Sequence, residues 1–291
     1  MHEFLTIIAG ALTTGAIYAP TALALTLVFN VTGILNLAQG EFYVIAPFVS
    51  LYVMKAWGLS VGWSSVIGVI TVVGVAGLVY LLALAPLRKT TEENLIVITL
   101  ALAFVLSGAG LLLFGPDPRF VPTFTGLDPI KLLGVPVSKQ SLWVVGATFV
   151  LLVVVWLFFI RTRYGIAMRA ASDNLKAAQY LGLDARRMGM LAFMMGGLLG
   201  GVSGVISTPL TLLDVAMGLG ILLKAFIAAV IGGWGSYLGA VVGAFTLGLA
   251  QVVSATYLPT LYGDAFTLGL LLVILFLRPS GMIPSRVART A

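Results

Sequence analysis

Arg161-Thr-Arg-Tyr-Gly-Ile-Ala-Met-Arg-Ala-Ala-Ser-Asp-Asn-Leu-Lys-Ala-Ala-Gln-Tyr-Leu-Gly-Leu-Asp-Ala-Arg-Arg187 is the one long charged interruption in an otherwise apolar chain. Its six cations, Arg161, Arg163, Arg169, Lys176, Arg186 and Arg187, outnumber its two acids, Asp173 and Asp184, and apolar runs flank it on both sides. By the positive-inside rule this loop faces the cytoplasm. It also predicts a short helix with its own start and stop. Ser172 or Asp173 is placed to cap the N-terminus, Leu175, Ala178 and Leu181 recur at helical spacing, and Gly182 suits the residue after the end. A membrane chain that builds a discrete helix on its cytoplasmic side offers a handle to a soluble partner.

Working outward, 60% of the 291 residues are hydrophobic and 9% are charged, with a mean hydropathy of +1.12. A soluble domain carries about 25% charged residues, so lipid is the solvent of this chain. The net charge of +6 comes from cations in the 161–187 loop, at Arg88 and Lys89, and at Arg278, Arg286 and Arg289. That distribution orients a bundle and meets anionic lipid; it presents no basic face for nucleic acid. There is no Cys, and the single His2 stands apart from the acids, so neither disulfides nor a metal-ligand cluster are expected. Residues 4–29 are too long for a signal-peptide core and read as a retained span.

Apolar runs of spanning length occur at about 4–29, 36–54, 61–86, 94–114, 141–160, 188–207, 217–233, 238–257 and 264–277. The expected fold is therefore all-α, a polytopic bundle of eight or nine spans forming one transmembrane domain over 1–291. Placing 86–93, 161–187 and 278–291 in the cytoplasm gives consistent parity and puts the N-terminus outside; a re-entrant turn at 30–41 would move it inside. The Pro-rich connection 115–140 reads as an extended or structured loop. Gly196, Gly200 and Gly204, then Gly197 and Gly201, then Gly235, Gly239 and Gly243 fall four apart, the spacing that lets helix backbones approach closely in lipid.

Two ionisable residues fall within spans, Glu41 and Lys224, and each should face protein, water or a partner charge. Gly40-Glu41-Phe42 and Leu223-Lys224-Ala225 each follow a small-residue-rich span and a break. This suggests an inverted repeat whose broken helices meet near the midplane, with Glu41 and Lys224 approaching one another. The plainer reading has Glu41 at a helix start favoured by the dipole and Lys224 snorkelling to an interface. Asn36-Leu-Ala-Gln39-Gly40-Glu41 is the foremost candidate for a functional break, read either as substrate contact or as a structural kink; Asn30 and Gln251 are weaker polar candidates. Gly218-Leu-Gly220-Ile-Leu-Leu-Lys224 lacks the Ser/Thr and the strand of a phosphate loop. No catalytic set is present, so energy for active transport would have to come from a partner.

These residues resemble the permease subunits of the high-affinity branched-chain amino acid ABC importers. The resemblance covers nearly the whole chain through Asn36–Phe42, Tyr164–Ala170, Ala177–Leu183, Lys224–Ser236 and Arg278–Gly281. It implies a bacterial inner-membrane protein that moves branched-chain amino acids or a similar small solute. It further implies a second, usually non-identical permease subunit, two ATP-binding cassette subunits that hold the ATP, and a periplasmic binding protein; no cofactor is bound by this chain. The Ala-Ala-x-x-x-Gly pattern of Ala177, Ala178 and Gly182 matches the family's ATPase-docking helix, and assigns Asp173, Asn174, Leu175, Ala177, Ala178, Leu181 and Gly182 to coupling. Asn36, Gln39, Gly40, Glu41 and Lys224 are the corresponding pathway candidates. Gln39 stands where members carrying branched-chain amino acids often have His, and Tyr237-Leu238 where many have Pro-Gly. Related systems carry urea, short amides or aromatic carboxylates on the same scaffold. An ion-coupled secondary transporter using Glu41 and Lys224 is the alternative of another class; it would need no docking helix.

Overall fold

The structure, a computed structural model, describes residues 2–87, 90–126, 128–132, 135–257, 259 and 263–283. Arg88, Lys89, Arg286 and Arg289, which enter the orientation argument, lie outside the described residues. Among the described residues, nine long helices account for the nine apolar runs to within a few residues: α1 (His2–Thr32), α2 (Gln39–Trp57), α3 (Val61–Val79), α4 (Glu92–Phe114), α5 (Lys139–Arg161), α8 (Ala185–Ser207), α9 (Met217–Gly232), α10 (Tyr237–Tyr257) and α11 (Gly263–Leu277). The basic loop supplies two short ones, α6 (Arg163–Asp173) and α7 (Leu175–Tyr180). Among the described residues, six helical stretches, those of α1, α3, α4, α5, α8 and α10, are long and apolar enough to cross a membrane. A π-helical turn, Tyr80–Leu84, carries α3 onward and brings Tyr80 against Phe193 of α8, ring centroids 5.1 Å apart.

The glycine ridges divide the work of packing α8. Gly196, Gly200 and Gly204 face α2, where an added methyl would meet Gln39 twice and then the Tyr43 carbonyl. Gly197 and Gly201 face α3, against Val72, Ala76 and Val69. On α10 the ridge is shorter than its sequence suggests. Gly239 and Gly243 meet α9 at Gly232 and Ala228, whereas Gly235 sits before the helix in a turn with φ +83°. With no hydrophobic effect between helices in lipid, this close contact is what dispersion can hold.

Among the described residues two prolines lie inside α-helices, and each frees a carbonyl one turn earlier. Pro20 leaves the Ala16 carbonyl, which accepts the Thr148 hydroxyl of α5 at 2.9 Å. Pro47 leaves the Tyr43 carbonyl, which rests against the bare Cα of Gly204. Nearby, Ser203 of α8 donates to the Ile17 carbonyl at 2.7 Å. Asn30 and Gln251 bond neighbouring elements as well, Asn30 donating to the Gly235 carbonyl and Gln251 accepting from the Tyr18 hydroxyl.

The Pro-rich connection contains the only strands among the described residues, β1 (Pro129–Leu132) antiparallel to β2 (Val135–Ser138), with Ile130 opposite Val137. It is pinned to the bundle: Arg119 and Leu213 exchange both backbone hydrogen bonds at 2.9 Å, and Gln140 donates to the Ile206 carbonyl at 2.7 Å. The all-α expectation therefore holds for the membrane body, with one small hairpin outside it.

Gly204→Ala places a methyl on the Tyr43 carbonyl and should destabilise the bundle by about 1–3 kcal/mol or more, as overpacked cores do. Gly220→Ala, at a position with open space around it, should leave the unfolding midpoint unchanged. Thermal unfolding in detergent separates them; equal midpoints would show that the ridge does not hold α2 to α8.

Candidate functional site

At the centre of the bundle two helices begin where a spanning helix would normally continue. Asn36 accepts the Ala38 N–H on Oδ1 at 3.2 Å while its carbonyl accepts the Gln39 N–H at 3.2 Å, and α2 starts there. Asp214 does the same, its Oδ1 accepting from Ala216 at 2.8 Å and its carbonyl from Met217 at 3.3 Å, and α9 starts there. Short Asx side chains stabilise this turn because they reach their own backbone two residues on. The paired stretches are Asn36-Leu-Ala38-Gln39-Gly40 and Asp214-Val-Ala216-Met217-Gly218.

The two starts cross at their glycines. A methyl on Gly40 would overlap the Gly218 carbonyl and press on Leu222. From this crossing the helices leave in opposite directions. Tyr43 of α2 bonds Ser207, at the far end of α8, with a hydroxyl separation of 2.6 Å. Gly232 of α9 packs on Gly239, near the start of α10, which lies at the basic-loop end through Ser172 and Tyr237. The long helices trade places in the same way: α3 packs on α8 and α2, and α10 on α1 and α9. An inverted repeat is therefore present, with residue i matching i + 178, since 218 − 40 = 178.

That register corrects the pairing expected from sequence. Glu41 corresponds to Leu219 and Lys224 to Ala46, so the two charges are not repeat mates. The Glu41 carboxylate lies against Gly218, and Glu41 is 6% exposed, its side chain making no hydrogen bond or ion pair among the described residues. Lys224 is half-buried and six residues further along α9, about 9 Å of helix axis. Backbone approach at the glycines, rather than charge pairing, brings the two breaks together. The Asx-x-Ala-x-Gly pattern at 36–40 and 214–218 was the sequence signal for Asp214, Ala216 and Gly218, all three missed.

Asn36 and Gln39 are fully buried, and Gln39 donates to the Gly196 carbonyl at 2.8 Å while its Oε1 faces the Asn36 amide at 3.4 Å. Their polar atoms join α2 to the middle of α8. The side of α9 that stays open is Ala216, Leu219, Gly220 and Leu223, one helical stripe beginning at the crossing. Ser107, Gly108 and Leu111 of α4 border a cavity of about 410 Å³ that reaches Asp214 and Ala216.

In the basic loop, α7 forms where expected but is capped by another residue. Asn174 Oδ1 accepts the Ala177 N–H at 2.9 Å; Asp173 is the last residue of α6, and Ser172 bonds back to the Met168 carbonyl. The stop is a Schellman pair: Gly182 N–H to the Gln179 carbonyl at 2.9 Å and Leu183 N–H to the Ala178 carbonyl at 3.1 Å, with Gly182 at φ +87°. Ala178 is 3% exposed and Leu175 half-buried against the bundle, so these two anchor α7 to its own chain. Tyr180 and Leu181 are 91% and 84% exposed, and Ala177 is exposed beside them.

A family model described as branched-chain amino acid transport system, permease component, matches residues 7–275. The high-affinity branched-chain amino acid transport system permease protein LivH of Escherichia coli (strain K12) is 29% identical over 286 residues, covering 93% of this chain and 92% of LivH. The probable branched-chain amino acid transport permease protein LivH of Methanocaldococcus jannaschii is 31% identical over 274 residues, 89% and 84% of the two chains. The autoinducer 2 import system permease protein LsrC of Klebsiella pneumoniae is 31% identical over 160 residues, 52% of this chain and 42% of LsrC.

Because Glu41 has no partner to lose, Glu41→Gln should not lower stability. Glu41→Gln and Lys224→Met should combine additively within about 0.5 kcal/mol in a denaturation cycle. A coupling energy above about 1 kcal/mol would restore the ion pair.

Proposed function

The chain belongs to the branched-chain amino acid transport permease family, and from that premise we propose that it is the membrane subunit of an ABC importer in a bacterial inner membrane. It moves branched-chain amino acids or a similar small solute into the cytoplasm. The observation that carries the coupling half of this reading is α7. A six-residue helix is too short to stand alone, yet it is capped, stopped and anchored so that Ala177, Tyr180 and Leu181 project from the basic loop. An exposed aromatic and a leucine beside a small residue suit a cleft on a soluble subunit: the rings and methyls fill it, and Ala177 allows close approach. The partners are two ATP-binding cassette subunits, a second and non-identical permease subunit, and a periplasmic binding protein.

The pathway half rests on the recessed start of α9. A helix that begins inside the bundle and keeps one stripe open gives a solute both the positive end of a helix dipole and a surface without bulky side chains at Ala216 and Gly220. Asn36, Gln39 and Gly40 act by holding that start in place, and Glu41 sets the charge at it. Gln39 is buried and committed to Gly196, so its difference from the His of many members acts through packing and leaves the choice of solute to other groups. The LsrC relative belongs to an autoinducer 2 import system, in keeping with a scaffold whose solute is set outside the shared helices.

Leu181→Asp should uncouple the importer: solute-stimulated ATP hydrolysis in proteoliposomes should fall at least about tenfold, as loss of a buried anchor does, while the bundle stays folded. Ala178→Trp should act differently, lowering the unfolding midpoint, because Ala178 is packed within this chain. Retained uptake in Leu181→Asp together with Tyr180→Ala would remove α7 as the docking element.

A further inference from the structure

The geometry points to a binding site for one anionic phospholipid in the cleft between α5 and α10, at the end of the bundle that carries the basic loop. The cavity there is about 320 Å³. Its floor is Leu23 of α1, its walls are Val155, Trp156 and Phe159 of α5 and Val241 of α10, and its mouth is Arg169 of α6 beside Tyr237. From Leu152 to Ile160 the α5 wall runs eight residues, about 12 Å along the helix, so the cleft is a slot rather than a dimple.

The distribution of polarity along the slot selects the occupant. All of it is apolar except one end, and that end holds an exposed guanidinium with no hydrogen bond or ion pair among the described residues. Asp173, one turn later on α6, is exposed and makes no ion pair with it. The Tyr237 hydroxyl is within 3.2 Å of Ser172 and so helps to shape the rim. Trp156 stands 60% exposed on the outer wall, an aromatic at the level where apolar surface gives way to the charged loop. An amphiphile with a negative head and an acyl tail matches each part: the phosphate meets Arg169, and the tail lies over Leu23.

Bound there, the lipid would touch α6, which leads directly into α7, and α10, which packs on α9. Its occupancy would thus brace the loop against the bundle.

The test is native mass spectrometry of the purified full chain, released from detergent with phosphatidylglycerol and phosphatidylethanolamine of equal acyl composition. Wild type should retain one phosphatidylglycerol in preference to phosphatidylethanolamine. Arg169→Gln should cut that preference about fivefold, the effect of one surface cation on an anionic lipid, and Arg169→Lys should keep it. Val241→Trp, which fills the slot, should weaken retention of both lipids, and glycerol phosphate without acyl chains should not compete. Equal retention of the two lipids by wild type, or an unchanged preference in Arg169→Gln, would overturn the site. Competition by glycerol phosphate would reduce it to an anion contact, and loss of lipid on dimerisation would give the cleft to a second copy.

Discussion

A polar backbone group left without a partner in hydrocarbon costs several kcal/mol, and this bundle is arranged around that cost. It contains two interior prolines and two helix starts set deep inside, each of which frees backbone groups. Thr148 meets the carbonyl freed by Pro20, and Gly204 admits the one freed by Pro47. Asn36 and Asp214 each close a turn on themselves before α2 and α9 begin. Irregular backbone survives at this depth because protein, not lipid, surrounds it.

The same requirement explains where the small residues are. Gly40 and Gly218 let two helix starts touch, and the Gly196–Gly204 ridge lets α2 lie against α8 closely enough for Gln39 to reach a carbonyl. α2 is nearly covered by its neighbours, which is why it tolerates Gln39, Glu41 and Ser50. Close packing and tolerance of polar groups are thus one property seen from two sides.

Glu41 is where the inverted repeat stops being symmetric. Its mate is Leu219, so a single carboxylate sits at a crossing of two helix starts, each of which presents the positive end of its dipole. No side-chain partner pairs with that carboxylate among the described residues. Two opposed half-helices with one carboxylate at their junction form an asymmetric centre in an otherwise repeated frame.

Composition and periodicity alone determined the class, the nine helices to within a few residues, and a capped helix in the basic loop, because lipid as solvent demands long apolar runs and a stop needs a glycine such as Gly182. The glycine ridges were also legible, since spacing by four is a property of the chain. What the sequence left open was decided by tertiary structure. The cap of α7 fell to Asn174, because Asp173 is consumed in finishing α6, and Ala178 turned inward because the helix leans on the bundle. Matching charge to charge misplaced the repeat by five residues, since Lys224 lies five beyond Leu219. Which residue of α9 meets Glu41 depends on where two backbones can cross, and only the absence of side chains at Gly40 and Gly218 permits that crossing.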